Sequence, residues 1–419
     1  MNYFSKKGLF PLLEILILAL PLALIISAFV AEIILFISII IFIICNKREK
    51  KNLFLNNKLI YFFFFFYLYF LFNSIFSNTP QVISFKIFFF FRFIFLLLII
   101  NYILYKNENF LISLAKVILV IFFLMFLDSL IQKIIGINLF GQKAMNDYRV
   151  SSFFGDELVM GGYIARFSPL LLFGYFLFKN KKLRTLSVIF YFISFYFILI
   201  SGERSAVVLG IISFFYTFLF LDIKKKVILK SIIIFIAFLT LIIVNDSKIK
   251  TRIFSHYIEQ TSFNASSKNL FLKFIPIQIL DNNKDTLKMF KKNNLFGLGP
   301  YSFRYYCEEK IQKKVCKGGH PHNSYLQLLA ETGYIGILYF LIPLLFLIFF
   351  QIKMKFKRDK NELDYNLFTL GSCLVFLIIW PINQHGNIFN NWLNIAYYFS
   401  FSIYIYLFKK NHEFVNYRG

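Results

Sequence analysis

Long apolar runs separated by short polar stretches dominate the sequence. The first run, residues 8–45, is too long for one membrane crossing, and we divide it near residues 27–31. Further runs lie at residues 59–77, 83–105, 110–134, 159–178, 185–202, 205–221, 231–245, 334–351, 366–382 and 391–408. About 20 apolar residues let an α-helix cross the hydrocarbon core of a bilayer. The pattern predicts an all-α, polytopic integral membrane protein with about twelve transmembrane helices.

The polar connections between these runs alternate in charge. One set is rich in lysine and arginine, with the segments NKREKKN, KNKKLR, DIKKK and KMKFKRDK. The alternate set includes SNTPQV and QHGN, which carry almost no charge. Because basic residues concentrate in cytoplasmic loops, both termini are predicted to be cytoplasmic and the alternate connections periplasmic.

Two predicted outer connections are longer than the rest, at residues 137–158 and 246–325. A loop of the second length usually carries function or its own fold. We therefore divide one membrane domain into N-terminal helices (residues 1–136), central helices (137–245), a long periplasmic loop (246–325) and C-terminal helices (326–419). No internal repeat is visible, although transporters often show matched, interrupted spans in both halves.

Composition changes this interpretation little. The chain of 419 residues is 58% hydrophobic and 21% aromatic, and its formal net charge is +25. Nucleic-acid binding would require a basic patch on a soluble fold, which the sequence lacks. No small-residue cleavage site follows the first apolar run, so no cleavable signal peptide is expected.

The segment HPHNSYLQLLAETGYIG places two of the five histidines, His320 and His322, at the start of an apolar segment. Ser324 and Gln327 have the spacing of a capping box, which predicts a short helix that ends near Gly333. A helix N-terminus disfavours imidazolium, so His322 there would stay neutral and could act as a base. Alternatively, it is only a polar residue at a loop end. No ligand set accompanies the two histidines, so no metal is predicted.

Arginine is scarce, with ten in the chain, and four fall on the predicted outer side. They are Arg149, Arg204, Arg252 and Arg304. Arg204 follows Glu203 in a tight turn between two apolar runs, where a guanidinium would suit the phosphate oxygens of a lipid-linked diphosphate. A snorkelling arginine, or one paired with Glu203, is the alternative.

The four cysteines divide by position. Cys45 and Cys373 lie in apolar runs, whereas Cys307 and Cys316 flank a polar stretch just before the histidines. In an oxidising compartment, a disulfide between the second pair would brace the segment around His322. Two free thiols are the alternative.

The segment around His322 resembles the signature of the O-antigen ligase family. That signature is a histidine, a polar residue, nine further residues and two glycines three apart, matched here by His322, Asn323, Gly333 and Gly336.

Weaker similarities follow in the family's order. KNNLFGLGPYSF, with Gly297 and Gly299, looks like its glycine-rich segment, and SGERSAVVLG looks like its outer arginine motif. YRVSSFFGDE, with Arg149, and NIFNNW also resemble family segments. The resemblance covers roughly residues 140–410.

The resemblance implies a GT-C-like membrane glycosyltransferase that is inverting and needs no metal or other cofactor. The donor would be a glycan on undecaprenyl diphosphate, and the acceptor a sugar hydroxyl of lipid A–core. The enzyme would lie among the lipids of the bacterial inner membrane, with its active site on the periplasmic face.

The same resemblance assigns roles to residues. His322 would serve the acceptor hydroxyl as a base, with Asn323 and His320 beside it, and Arg204 would stabilise the leaving diphosphate. A second phosphate-binding arginine is expected, with three candidates: Arg252, Arg149 and Arg304.

Three other functions remain open from the sequence. A related O-antigen polymerase would use a second lipid-linked repeat unit as acceptor, and a protein side chain is a further possible acceptor. A transporter or flippase is the alternative of another class, although it would place its polar residues near the bilayer midplane.

Overall fold

The computed structural model describes residues 6–47, 58–77, 85–144, 149–262, 277–310, 320–357, 361–381 and 386–416. These residues form a bundle of helices, and the one strand-type pairing among them joins Ile137 to Lys143. The helices are α1 (Lys6–Ile26), α2 (Ala28–Lys47), α3 (Lys58–Ile75), α4 (Phe91–Lys106), α5 (Phe110–Ile135), α6 (Met160–Phe167), α7 (Pro169–Leu177), α8 (Lys181–Ile200), α9 (Arg204–Phe220), α10 (Lys225–Asn245), α11 (Ser247–Lys250), α12 (His256–Ser262), α13 (Ile277–Phe290), α14 (Ser302–Lys310), α15 (Ser324–Lys355), α16 (Glu362–Ile379) and α17 (Asn391–Asn416).

Eight helices in the described residues are long and apolar enough to cross a membrane, and two shorter apolar helices accompany them. The chain is therefore a polytopic helical membrane protein, but the predicted number of twelve spans is not confirmed. Residues 159–178, predicted as one span, form α6 and α7, which meet at Ser168. Pro169 has no N–H to donate to the preceding turn, which explains the break there.

One large apolar core joins most of the described helices, with α17 packed on both α4 and α16. A second, small cluster of Met289, Phe303 and Ala330 joins α13, α14 and the start of α15. In contrast, α10 exposes almost its whole surface and buries only Phe235. The Phe235 ring stacks on that of Phe214, with centroids 3.8 Å apart. We interpret the exposed apolar side of α10 as a lipid-facing surface.

The antiparallel pair α9 and α16 defines the two ends of the bundle. At one end, the backbone N–H of Asp222 donates to Asn366 over 2.7 Å. Midway, the Ser213 hydroxyl lies 3.8 Å from the sulfur of Cys373. Because the two helices run in opposite directions, the start of α9 at Arg204 lies at the same end as the last turn of α16. We call this end the arginine end.

Candidate functional site

The segment that carries Arg149 is fixed to the end of α5. Asp128 accepts the Ser152 hydroxyl over 2.6 Å, and Gln132 accepts the backbone N–H of Ser152 over 2.7 Å. The N–H of Val150 then bonds to the carbonyl of Ile200, 3.0 Å away. These buried hydrogen bonds place Arg149 against the end of α8.

Three of the four predicted arginines meet at one turn. The Nε of Arg149 donates to the carbonyl of Ser201 over 3.2 Å, and the Nε of Arg252 donates to the carbonyl of Gly202 over 3.1 Å. Arg204 begins the helix that follows. Burial and the nearby charge of Arg252 lower the pKa of Arg149, while Glu203 raises it and Arg204 lowers it further. Crowded cations of this kind favour binding of an anion.

Arg204 is held by the segment after α10 and not by its neighbour in sequence. Its Nη2 donates to the side-chain oxygen of Gln260 over 2.7 Å, and its guanidinium lies over the ring of Tyr257, 5.4 Å from the centroid. Its Nη1 is buried and has no hydrogen-bond partner in the structure as described. No ion pair with Glu203 is present among the described residues. The guanidinium therefore keeps a buried donor available.

Glu203 instead connects the arginine turn to the start of α6. Its carboxylate accepts the N–H groups of Gly161 and Gly162 at the start of α6, over 2.7 and 3.1 Å. Burial raises the pKa of Glu203 to about 7, against the opposing effects of these N–H groups and of Arg149. Sequence reasoning treated Glu203 only as a possible partner of Arg204 and missed this role.

Replacement of Glu203 by glutamine tests its raised pKa. The folded protein holds this proton up to about pH 7, whereas an unfolded glutamate, with a pKa of 4.5, loses it earlier. Folding stability from this group is therefore present below pH 4.5 and is lost as the pH rises through 7. We expect the melting temperature of Glu203→Gln to depend less on pH over this window than that of the unmodified protein.

Glu362→Gln, at an exposed position in the first turn of α16, is the matched control. The same pH slope in Glu203→Gln and in the unmodified protein would contradict the raised pKa.

His322 lies just before α15 in a strained backbone conformation. Its φ of 61° falls in the left-handed region, which is uncommon for a residue with a side chain. Burial lowers its pKa below the usual 6.5, so the imidazole is neutral at pH 7. The rings of His320 and His322 meet edge to face, with centroids 4.3 Å apart. The sequence analysis attributed the neutral state of His322 to the helix dipole. In the structure, the lowered pKa of His322 results from burial.

Asn323, and not Ser324, caps α15. Its side-chain oxygen accepts the N–H of Leu326 over 3.0 Å, and its amide donates to the carbonyl of Pro381 over 2.9 Å. The predicted capping box of Ser324 and Gln327 is therefore wrong, because the helix begins at Ser324, one residue earlier than that box requires. Asn323 instead joins the position of His322 to the end of α16.

The predicted glycine motifs interlock. Gly333 has φ 67° and ψ −164°, which separates the first turns of α15 from its long apolar part. The loop of residues 293–303 packs against this kink through backbone hydrogen bonds from Gly299 to Glu331 (2.8 Å) and from Tyr334 to Asn294 (3.0 Å). A Cβ on Gly297 would overlap the backbone of Glu331. The two glycine-containing segments therefore form one unit, which we call the glycine interlock (residues 293–303 and 330–334).

Gly299 within the interlock and Gly336 just after it also require glycine. A Cβ on Gly299 would overlap the side chain of Ser77, and one on Gly336 would overlap that of Thr332. In addition, the Tyr69 hydroxyl bonds to the Thr332 carbonyl over 2.5 Å. Helix α3 therefore supports the interlock from the other side.

Gly333→Ala is expected to destabilise the protein strongly. The backbone conformation of Gly333 is accessible essentially to glycine alone, and its strain would cost roughly 1–3 kcal/mol in any other residue. A Cβ there would also overlap the carbonyl of Leu295. A thermal unfolding scan in detergent should show a lower melting temperature.

Gly8→Ala is the matched control, because a Cβ at Gly8 meets nothing within 4 Å. Equal melting temperatures for the two variants would mean that the interlock does not constrain Gly333.

Glu331 and Gln327 hold the interlock and were missed by sequence reasoning. The Glu331 carboxylate is 1% exposed and accepts the N–H of Phe303 over 3.0 Å, at the start of α14. Gln327 donates to Glu331 over 3.0 Å and to Asn387 over 2.9 Å. A buried carboxylate is retained when several donors satisfy it. The i, i+4 spacing of Gln327 and Glu331 was the available signal.

The arginine turn and the segment around His322 lie at the same end of the bundle. The Tyr325 hydroxyl bonds to the carbonyl of Ile379 over 2.6 Å, and Asn323 reaches Pro381 just beyond it. Helix α16 thus ends beside the segment of His322, and Arg204 starts α9 at this same end. The arginine end therefore also carries His322.

The remaining predicted residues fall outside this arrangement. Arg304 is exposed on α14 and is not among the arginines held at the turn. The predicted disulfide between Cys307 and Cys316 lies outside the described residues. Within the described ranges, no group of three or more metal-ligating side chains is found.

The chain is thus an α-helical membrane protein with a cluster of arginines and a neutral histidine at one end. A family model described as O-antigen ligase matches residues 189–341. That stretch contains Arg204, Arg252, the glycine motifs and His322. Over this stretch the chain is similar to the O-antigen ligase family, as its motifs predicted. No match was found among curated proteins.

Proposed function

We propose that the protein transfers a glycan from undecaprenyl diphosphate to a sugar hydroxyl of lipid A–core, by inverting and metal-independent chemistry. The observation that supports this most is the meeting of Arg149, Arg204 and Arg252 at one turn, at the same end of the bundle as His322. Such an end could bind an anionic leaving group and a hydroxyl nucleophile together.

The arginines would stabilise the leaving group. In the transfer, the bond between the anomeric carbon and the diphosphate oxygen breaks, and negative charge develops on that oxygen. Preorganised cations in a partly buried site stabilise such charge more strongly than water does. Arg204 is the first candidate because its Nη1 is buried and without a partner in the described part of the chain.

His322 would act on the nucleophile. The acceptor oxygen attacks the anomeric carbon from the side opposite the diphosphate, and its proton passes to an imidazole nitrogen. A base must be unprotonated to accept it, which the lowered pKa of His322 provides. The left-handed φ and the Asn323 cap would fix the direction of the ring.

The sidedness of the enzyme belongs to the same proposal. Because lysine-rich connections mark the cytoplasmic side, the arginine end would face the periplasm of a bacterial inner membrane. Its ligands there would be membrane-embedded, since neither the donor nor lipid A–core leaves the bilayer.

Reconstitution tests the proposal directly. Purified protein in liposomes would receive an undecaprenyl diphosphate-linked glycan, with or without lipid A–core and without added metal. Transfer that requires lipid A–core supports a ligase. A ladder of repeats on the polyprenyl carrier would make the protein a polymerase of the same family, and glycan transport without any new bond would overturn the proposed chemistry.

A further inference from the structure

A cavity opens beside the arginine turn and shares Arg149 with it, while Arg204, Arg252 and His322 do not line it. It has a volume of about 470 Å³. It lies between the end of α5, residues 136–144, the end of α8 and the start of α11. Sites for small organic ligands usually span roughly 300–1,000 Å³. The cavity is therefore large enough for part of a glycan.

The lining of this cavity is strongly basic. Four basic side chains, Lys133, Lys143, Arg149 and Lys248, face one carboxylate, that of Asp246, which gives a net charge of +3. Asp246 forms an ion pair with Lys133, whose ammonium also donates to the Tyr196 hydroxyl over 3.0 Å. Lys143 and Lys248 have no carboxylate partner among the described residues. The charge that remains favours an anionic ligand.

Arg149 joins the cavity to the turn at which the diphosphate would bind. It lines the cavity while its Nε bonds to Ser201 within that turn. A ligand anchored by its diphosphate would therefore reach the cavity with its first sugars. Apart from Gln132, the remaining lining is apolar and includes Ile135, Val150 and Ile249. Such surfaces suit the apolar faces of sugar rings.

We propose that this cavity, which we call the basic subsite, binds an acidic sugar of the donor glycan close to its diphosphate. The proposal rests on the proposed function, because it assumes that the arginine turn holds the donor diphosphate. Lys143 and Lys248 would pair with the carboxylate of that sugar. The subsite would therefore select among donors and take no part in the bond-forming step.

A matched pair of donors tests the subsite. The two probes are polyprenyl diphosphate disaccharides that carry either glucuronic acid or the same sugar with its carboxyl group reduced to an alcohol. Binding to protein in lipid nanodiscs is measured for each, together with transfer. The unmodified protein should bind the acidic donor roughly tenfold more tightly, equivalent to about 1.4 kcal/mol.

The double variant Lys143→Gln/Lys248→Gln should lose this preference and bind the reduced donor unchanged. Lys143→Arg/Lys248→Arg should retain it, because the positive charge is kept. Lys181→Gln/Lys182→Gln, at two exposed positions at the start of α8, is the charge-matched control and should behave as the unmodified protein.

Other outcomes separate the two proposals. Equal binding of both donors, lost in Arg204→Ala, would overturn the subsite and leave the proposed function standing. Failure of both donors to bind would overturn both proposals. If the double variant altered only retention of phosphatidylglycerol in the nanodiscs, the cavity would be a lipid headgroup site, and the glycan assignment would be wrong.

Discussion

His322→Ala is expected to reduce glycan transfer by roughly 10²- to 10⁴-fold, the usual contribution of a positioned general base. The physical reason is the loss of the imidazole of His322, whose lowered pKa keeps it unprotonated and able to accept the proton of the acceptor hydroxyl. The measurement is the rate of glycan transfer in liposomes at saturating donor. The rate is normalised to the amount of folded protein, which size-exclusion chromatography measures.

His412→Ala, in the last turns of α17, is the matched control for removal of a histidine. Unchanged melting temperature with lost activity would support a catalytic role for His322. Normal transfer by His322→Ala would remove it as the base. The lowered pKa adds a second readout, since transfer should persist below pH 6.5 and fall only when the imidazole becomes protonated.

Arg204→Lys is expected to lose activity by roughly 100-fold, comparable to the removal of one preorganised donor from an anionic transition state. Arg204 uses Nη2 for Gln260 and leaves the buried Nη1 without a described partner. A lysine has one ammonium on a flexible stem and cannot reproduce this fork. The loss should appear mainly in the rate of transfer at saturating donor.

Arg184→Lys is the matched control, because Arg184 lies at the start of α8, away from the arginine end, and bonds to the carbonyl of Phe178. Equal activity of Arg204→Lys and the unmodified protein would show that a point charge is sufficient. It would then favour the snorkelling interpretation of Arg204.

Sequence patterns predicted the helical class, and they also selected residues that the structure brings together, because both depend on local rules. Apolar runs must become helices in lipid, where backbone groups need internal partners. The break at Gly333 followed from glycine at the end of a helical pattern, and the structure shows the kink there. The scarcity of arginine made Arg149, Arg204 and Arg252 visible as candidates, and the structure brings these three together.

What the sequence did not predict depends on contacts between distant segments. Glu203 bonds to Gly161 and Gly162, about forty residues earlier, so no spacing rule could reveal it. Arg204 bonds to Gln260, 56 residues later in the chain. The hydrophobic periodicity does not show how the chain between them returns to Arg204. The cap of α15 was misplaced by one residue, since serine and asparagine are both favoured at that position.

The glycine interlock sets where related proteins could exchange parts. Residues 293–303 and 330–334 meet backbone to backbone, with no side-chain space at Gly297 or Gly333. A chimera joined between these two stretches would combine a loop and a kink that evolved apart. A chimera joined before residue 293 and after residue 336 would transfer the histidine segment, Asn323 and both halves of the interlock from a single parent.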